Sequence, residues 1–253
     1  MITIKTEKDI EILKEGGRRL AAILDALAKA VRPGISTKDL DDLAFKLTKE
    51  KGDKPAFLNY RPDLASRPYP ASLCVSVNDE VVHGIPKKGT ILKEGDLVSL
   101  DMGIIHNGLI TDSAISVGVG EIDDAAKKLL KDGKQALYAG IDASVVGAHT
   151  GDIGFAIEKF VKKTGFSNSE DLGGHGVGYG LHEDPFIPNF GARGQGPILK
   201  PGMVIAIEPM LCEGTGRNIL EDDGWTFITA DGKRAVHFEH TIVITEKGPE
   251  IIT

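Results

Sequence analysis

Cysteine is scarce: Cys74 and Cys212 are the only two in 253 residues. That is too few for a disulfide framework, and no CxxC spacing offers a zinc finger, so a reducing compartment is expected. Aromatic residues are sparse at 6%, with Trp225 the single tryptophan. No long basic run occurs, and 30 basic against 37 acidic side chains leave a net charge of -7. A phosphate-tracking surface is therefore excluded, and nucleic acid with it. No window approaches ~18 uninterrupted apolar residues. The first residues carry charges from Lys5 onward without the apolar core of a signal peptide, so neither export nor membrane insertion is expected and a cytoplasmic location is. The GxSxG elbow is absent, and Cys74 within Leu-Cys-Val-Ser-Val reads as a buried or pocket-lining thiol rather than a nucleophile. Gly174, Gly176, Gly178 and Gly180 alternate singly, giving no GxGxxG, and there is no GxxxxGK[ST].

Glycine, by contrast, is abundant at 31 residues, so the backbone makes many turns or close approaches that side chains would block. With 41% apolar and 26% charged residues the chain is a soluble globular protein. Its length suits one or two domains of ~150 residues, or a single larger α/β unit. Thr6 and Asp9 open a first helix whose apolar spacing runs until Pro33-Gly34. Thr37 caps a second helix ending at Gly52. Residues 71–119 turn to short β-type runs, among them Leu73-Cys-Val-Ser-Val and Leu97-Val-Ser-Leu. Two more helices follow, Ala125 to about Ala143 and Thr150 to Gly165, before another β-prone stretch.

That order repeats because the sequence does. Ile91-Leu-Lys-Glu-Gly95-Asp-Leu-Val-Ser-Leu-Asp101 matches Ile198-Leu-Lys-Pro-Gly202-Met-Val-Ile-Ala-Ile-Glu208, with an acid at the same place. Thr37-Lys-Asp39-Leu40 matches Thr150-Gly-Asp152-Ile153, and Thr111-Asp112 can be laid against Phe238-Glu239. The chain reads as one domain, residues 1–253, duplicated internally at about 1–120 and 121–253 with two acids in each copy.

Asp101 and Glu208 each end a run too apolar for a solvent-facing strand, and neither run carries a neighbouring cation. A carboxylate taken into an interior needs a partner. Packed as a pseudo-two-fold pair, the halves would bring Asp101, Asp112, Glu208 and Glu239 together, four negative charges that two divalent ions would neutralise. Oxygen ligands with some nitrogen suit Mn, Fe, Co or Zn better than a thiolate site does. His175, in Gly173-Gly-His175-Gly-Val-Gly-Tyr-Gly180, is the nitrogen candidate, because small flanks leave its imidazole accessible. His83 and His182 fit either a site or an ordinary structural role. His106, His149, His237 and His240 are expected to be surface or structural residues.

Asn78-Asp-Glu-Val-Val-His83-Gly-Ile-Pro, Ser99-Leu-Asp101-Met-Gly, Thr111-Asp112, Gly174-His175-Gly-Val-Gly, His182-Glu-Asp-Pro, Ala206-Ile-Glu208-Pro-Met and Glu239-His-Thr-Ile-Val-Ile-Thr together strongly resemble the type I methionine aminopeptidases. The resemblance runs from the first helix to residue 245. It implies the α/β (α+β) pita-bread fold, two pseudo-symmetric halves around a curved antiparallel sheet. It implies removal of the N-terminal methionine before a small second residue, by water activated at a dinuclear site of two divalent ions (Co, Mn, Fe, Zn or Ni). In that picture Asp101 chelates one metal, Asp112 and Glu239 bridge both, and His175 and Glu208 complete the other shell. Glu208 is the proton acceptor, and His83 and His182 contact substrate and stabilise the intermediate. Tyr60, Tyr69, Cys74 and Trp225 line the methionine pocket.

Three departures bear on that pocket. Leu181 stands where many members have Phe, Tyr179 where a basic residue is common, and the Arg61–Pro68 segment is longer than usual. The expected partners are peptide N-termini and the ribosome surface, with no membrane, and the expected state is a monomer. An Xaa-Pro aminopeptidase or dipeptidase would use the same five ligands, usually behind a separate N-terminal domain. A non-catalytic peptide-binding module on this fold would have lost some of them.

Overall fold

The computed structural model describes residues 1–62 and 67–253. Part of the long Arg61–Pro68 segment thus lies outside the described residues. Helix α1 (Glu7–Ala30) starts at a reciprocal capping box, in which Thr6 Oγ1 accepts from the Asp9 N–H and the Asp9 carboxylate accepts from the Thr6 N–H. Helix α2 (Thr37–Glu50) uses the same device one residue earlier than expected. Ser36, not Thr37, is its cap, because the Ser36 hydroxyl reaches the Asp39 amide while Thr37 Oγ1 is engaged by the backbone of Lys87. Strands β1 (Lys54–Pro55), β2 (Cys74–Val77), β3 (Glu80–Val82), β4 (Leu97–His106) and β5 (Leu109–Gly118) complete the first half.

Helices α3 (Asp124–Ala143) and α4 (Thr150–Val161) open the second half. Helix α4 stops four residues short of Gly165, because the chain tightens there into i→i−3 bonds from Lys163 and Thr164. The remaining strands are β6 (Ser167–Asn168), β7 (Gly173–Gly176), β8 (Glu183–Pro188), β9 (Val204–Ile207), β10 (Met210–Cys212), β11 (Asn218–Leu220), β12 (Phe227–Thr229), β13 (Ala235–His237), β14 (Glu239–Thr245) and β15 (Gly248–Ile251).

Nine strands form the main sheet in the order β1-β4-β5-β14-β9-β7-β8, with β2 also on β4 and β15 on β14, and its pairings are antiparallel. Alternation along each strand sorts the side chains. On β4, Val98, Leu100, Met102 and Ile104 enter a core with Leu20, Leu24 and Leu27 of α1 and Leu40 of α2. On β9 and β14, Ile205, Ile207, Ile242 and Ile244 meet Leu129 and Leu137 of α3 and Ile153 and Ile157 of α4. The helices cover one face, and the alternate residues, the acids among them, are left for the other.

The two halves close their helix pairs with matching bonds. Ser36 bridges Ile91 and His149 bridges Ile198. Thr37 N–H donates to Thr90 O, and Thr150 N–H to Pro197 O. The Ile-Leu-Lys-x-Gly repeat is thus the seam on which each helix pair is docked.

Helix α1 crosses the sheet closely at Gly16 and Gly17. A methyl on Gly17 would lie 2.1 Å from the Ile252 carbonyl oxygen, a backbone atom that cannot swing aside. Gly17→Ala therefore sets a helix-propensity gain of up to ~1 kcal/mol against an overpacking cost of ~1–3 kcal/mol. We expect net destabilisation by denaturant titration; a variant more stable than the parent would contradict this packing.

Candidate metal centre

The register of the main sheet assembles the acids. Asp101 on β4 pairs with Ala114 on β5, Ala114 pairs with Glu239 on β14, and the next pair in the β14–β9 register sets Glu239 beside Glu208. Directly paired residues share a face, so these side chains form one row across four strands spaced ~4.8 Å apart. Asp112 lies two residues from Ala114 and hence on the same face, opposite Gly103. Asp112 and Glu239 occupy the two middle strands, Asp101 and Glu208 the flanking ones. The small side chain of Ala114 leaves the row open between Asp101 and Glu239. Cys74 extends the same row beyond Asp101.

The histidines arrive on tightly constrained backbone. His175 sits on β7, where a Cβ on Gly174 would lie 2.1 Å from Ala206 O and one on Gly176 would lie 2.2 Å from Asp184 O. Glycine on both sides is what lets the strand carry an imidazole between β8 and β9. His175 Nε2 lies 3.4 Å from Glu208 Oε1. His182 enters β8 with its ring at 90° to that of His175, the centroids 4.4 Å apart, and its Nδ1 lies 2.7 Å from the Tyr60 hydroxyl. His83 follows β3 at φ +59°, a left-handed conformation, edge-on to Trp225 and Phe227.

Asp101, Asp112, His175, Glu208, Glu239, His83 and His182 all line one cavity of about 300 Å³. Among its described lining residues there is no lysine or arginine. Burial first, then mutual repulsion, drives the carboxyls of Asp101, Asp112 and Glu239 well above the ordinary carboxylate range. Burial alone takes Glu208 up to about 8. Burial also lowers His175 to about 3 and His83 and His182 to about 4, so these imidazoles are neutral near pH 7 and cannot supply the missing charge.

Asp112 Oδ1 and Glu239 Oε1 are buried without a hydrogen-bond partner among the described residues. One ligand atom from each of Asp112, His175 and Glu239 falls within 4.8 Å of the others. Carboxylates without cations, orphaned oxygens and a neutral imidazole fit divalent metal, and the oxygen-rich set suits Mn, Fe, Co or Zn.

An apolar pocket continues from the acids. Tyr60, Tyr69, Cys74 and Trp225 line it together with Phe57 and Leu181. Tyr69 is fully buried and donates its hydroxyl proton to Gly84 O at 2.9 Å, which orients the ring edge-on to Trp225. Gly103 faces this pocket, and a Cβ there would meet the Phe57 ring at 2.9 Å. Leu181 stands in the wall, whereas Tyr179 does not: it is exposed and donates its hydroxyl proton to Asp9. The expectation that Tyr179 reshapes the pocket is corrected accordingly.

His237, expected to be a surface or structural residue, is not at the surface but buried beside Glu208. It is 2% exposed on β13, with Nε2 3.3 Å from Glu208 Oε2. No spacing in the sequence announces this, because His237 ends β13, which pairs with β10, while Glu239 opens β14 of the main sheet. His106 is structural as expected, its Nδ1 2.7 Å from buried Asp53. Leu172, Phe186 and Met210 also line the cavity, and no motif in the sequence marks them.

The family model described as "Metallopeptidase family M24" matches residues 11–246. A methionine aminopeptidase of Aquifex aeolicus is 47% identical over 256 residues, spanning 100% of this chain and 98% of that protein. The crystal structure of a methionine aminopeptidase from Thermotoga maritima superposes with a TM-score of 0.96 at 44% identity, covering 100% of this chain and 99% of that one. An Xaa-Pro dipeptidase from Bacillus anthracis shares the fold alone, with 22% identity, a TM-score of 0.79 and coverage of 99% of this chain but 61% of its own. The antiparallel sheet with its helices on one face is the pita-bread fold of these proteins. With nearly all of its length matched, this chain belongs to metallopeptidase family M24.

Proposed function

We propose that this chain is a methionine aminopeptidase that removes N-terminal methionine when the second residue is small. The observation that carries this reading is the single cavity lined both by the five acid and imidazole ligands and by the apolar Tyr60, Tyr69, Cys74 and Trp225 wall. Divalent metal use follows from the family. That two ions are held, by Asp101, Asp112, His175, Glu208 and Glu239, and that Co, Mn, Fe, Zn or Ni serves, is our reading of the site. We also read residues 1–253 as one catalytic domain. It would be monomeric and cytoplasmic, meeting peptide N-termini at the ribosome surface. Among the described residues no helix is long and apolar enough to cross a membrane.

Divalent ions bound there would supply Lewis acidity and lower the pKa of water. The protein's own groups supply the rest. Phe57, Tyr69, Trp225 and Leu181 exclude water from the methionine side chain and hold it by dispersion contact. Glu208, buried between His175 and His237, accepts the proton from the attacking water and passes it to the leaving amine. Tyr60 occupies Nδ1 of His182, leaving Nε2 for the scissile amide. His83 and His182 are neutral near pH 7, so they stabilise the intermediate as hydrogen-bond donors rather than as cations.

Substrate choice is tested with Met-Ala-x, Met-Lys-x, Leu-Ala-x and Ala-Pro-x peptides, with and without added divalent metal. A misplacement of ~1 Å can cost ~100-fold, so we expect kcat/KM for Met-Ala-x to exceed that of Met-Lys-x and Leu-Ala-x by at least ~100-fold. Comparable turnover of Ala-Pro-x would favour an Xaa-Pro peptidase instead.

Metal binding is tested by Asp112→Asn and Glu239→Gln, each nearly isosteric. Both should leave a folded, soluble protein with less bound metal and activity reduced by at least ~100-fold, since losing a ligand should cost no less than the ~10- to 100-fold typical of losing a group that merely orients one. Parental activity and metal content in either variant would remove that residue from the bridging role.

A further inference from the structure

The loop from Val177 to His182 joins β7, which carries His175, to β8 and ends on His182 itself, and glycine occupies every second position from 174 to 180. Such a segment loses more conformational freedom on ordering than any other, so something outside it has to hold it. What holds it is the chain before α1. Glu183, next to His182, accepts with Oε1 from the Tyr179 and Gly180 N–H groups at 2.6 and 2.8 Å. Its Oε2 accepts from Lys5 Nζ at 2.7 Å and from the Thr3 hydroxyl at 2.5 Å.

Lys5 itself is 4% exposed. Its stem lies against Gly178, where an added Cβ would meet Lys5 Cε at 2.4 Å, and its ammonium sits 4.9 Å from the Tyr179 ring centroid. The Lys5 N–H donates to Gly202 O at 2.8 Å, tying the same residue to the turn that leads into β9 and Glu208. Tyr179 then closes the arrangement by donating to Asp9, the first-turn residue whose carboxylate pairs with the Thr6 cap of α1. A lysine and a glutamate buried together are costly to separate, because removing one leaves the other charged and unpaired.

We propose that Lys5 and Glu183 form a buried clasp that positions His182 over the cavity, which makes the segment before α1 part of the catalytic apparatus. The clasp bears on chemistry through His182 alone. It therefore rests on the reading that His182 contacts the substrate amide, and it assigns Lys5 and Glu183 as positioning residues.

The test is a double-mutant cycle with His182→Ala, read in kcat and KM on a Met-Ala-x peptide with metal saturating and melting curves recorded alongside. Lys5→Met keeps the stem and removes the charge. In the parent it should lower kcat ~10- to 100-fold with KM changed less than ~3-fold. In the His182→Ala background the same change should cost less than ~2-fold, because the group it positions is gone. Lys5→Met/Glu183→Gln should recover part of the loss, since no unpaired charge remains. A full, additive loss in the His182→Ala background overturns the clasp while leaving the role of His182 intact. Unchanged kcat in Lys5→Met with only a lowered melting temperature likewise overturns it. Parental activity in His182→Ala would overturn the reading of His182 and the clasp together. Should Lys5→Met fail to fold, Glu183→Gln alone is carried through the same cycle with the same criteria.

Discussion

Four carboxylates on one face of a sheet, buried and with no cationic side chain among the described residues of their cavity, are the constraint around which this molecule is built. Asp101, Asp112, Glu208 and Glu239 lie on four adjacent strands, and no lysine or arginine is among the described residues lining their cavity. Left to themselves they would be held protonated by burial and repulsion, as their raised pKa values show. Much else follows from keeping that face open. Ala114 and Gly103 stand where larger side chains would fill the row or the pocket beside it. The helices are confined to the opposite face, so that β4 is buried on both sides and reads as a nearly continuous apolar run.

The remaining pieces come from outside the row and are brought in by backbone that has little freedom. His83 is held in a left-handed conformation just after β3, and the neighbouring Gly84 could not carry a Cβ without striking Val75 O at 2.4 Å. His175 rides between two strands on glycines. His182 depends on a glycine-rich loop whose fastening reaches back to Thr3, Lys5 and Asp9. Site geometry therefore draws on residues nearly 180 positions apart, and mutations before α1 belong to the site's energetics as much as those on the cavity wall do.

Much of this was legible in the sequence, for identifiable reasons. The recurring Ile-Leu-Lys-x-Gly with its terminal acid is readable as text because both occurrences make the same helix-docking seam and end on the same row. Helix limits were readable where a side chain caps them. They slipped where Ser36 took the role assigned to Thr37, since two adjacent hydroxyl residues offer the same local signal and only the Lys87 backbone decides between them. His237 was missed because its surroundings are made by β13 packing beside Glu208, a contact across 29 residues that no local pattern announces. Tyr179 was misplaced for the converse reason: it is close in sequence to His175 and His182, yet the turn directs it out to Asp9.

If metal substitutes for protons among these carboxylates, stability of the stripped and loaded proteins must diverge with pH. In the stripped protein their folded pKa values lie above the unfolded ones. The stability they allow is then complete below ~4, where unfolded carboxyls titrate, and is lost as pH rises through the folded values, of which Glu208 is at about 8. Bound cations relieve that loss, and they bind more tightly as competing protons leave. The direct measurement is the difference in melting temperature between Mn-saturated and chelated protein at pH 5.5 and at pH 8, since titrations elsewhere in the molecule are common to both forms. The account predicts a larger difference at pH 8; a difference that is absent, constant or smaller there would contradict it.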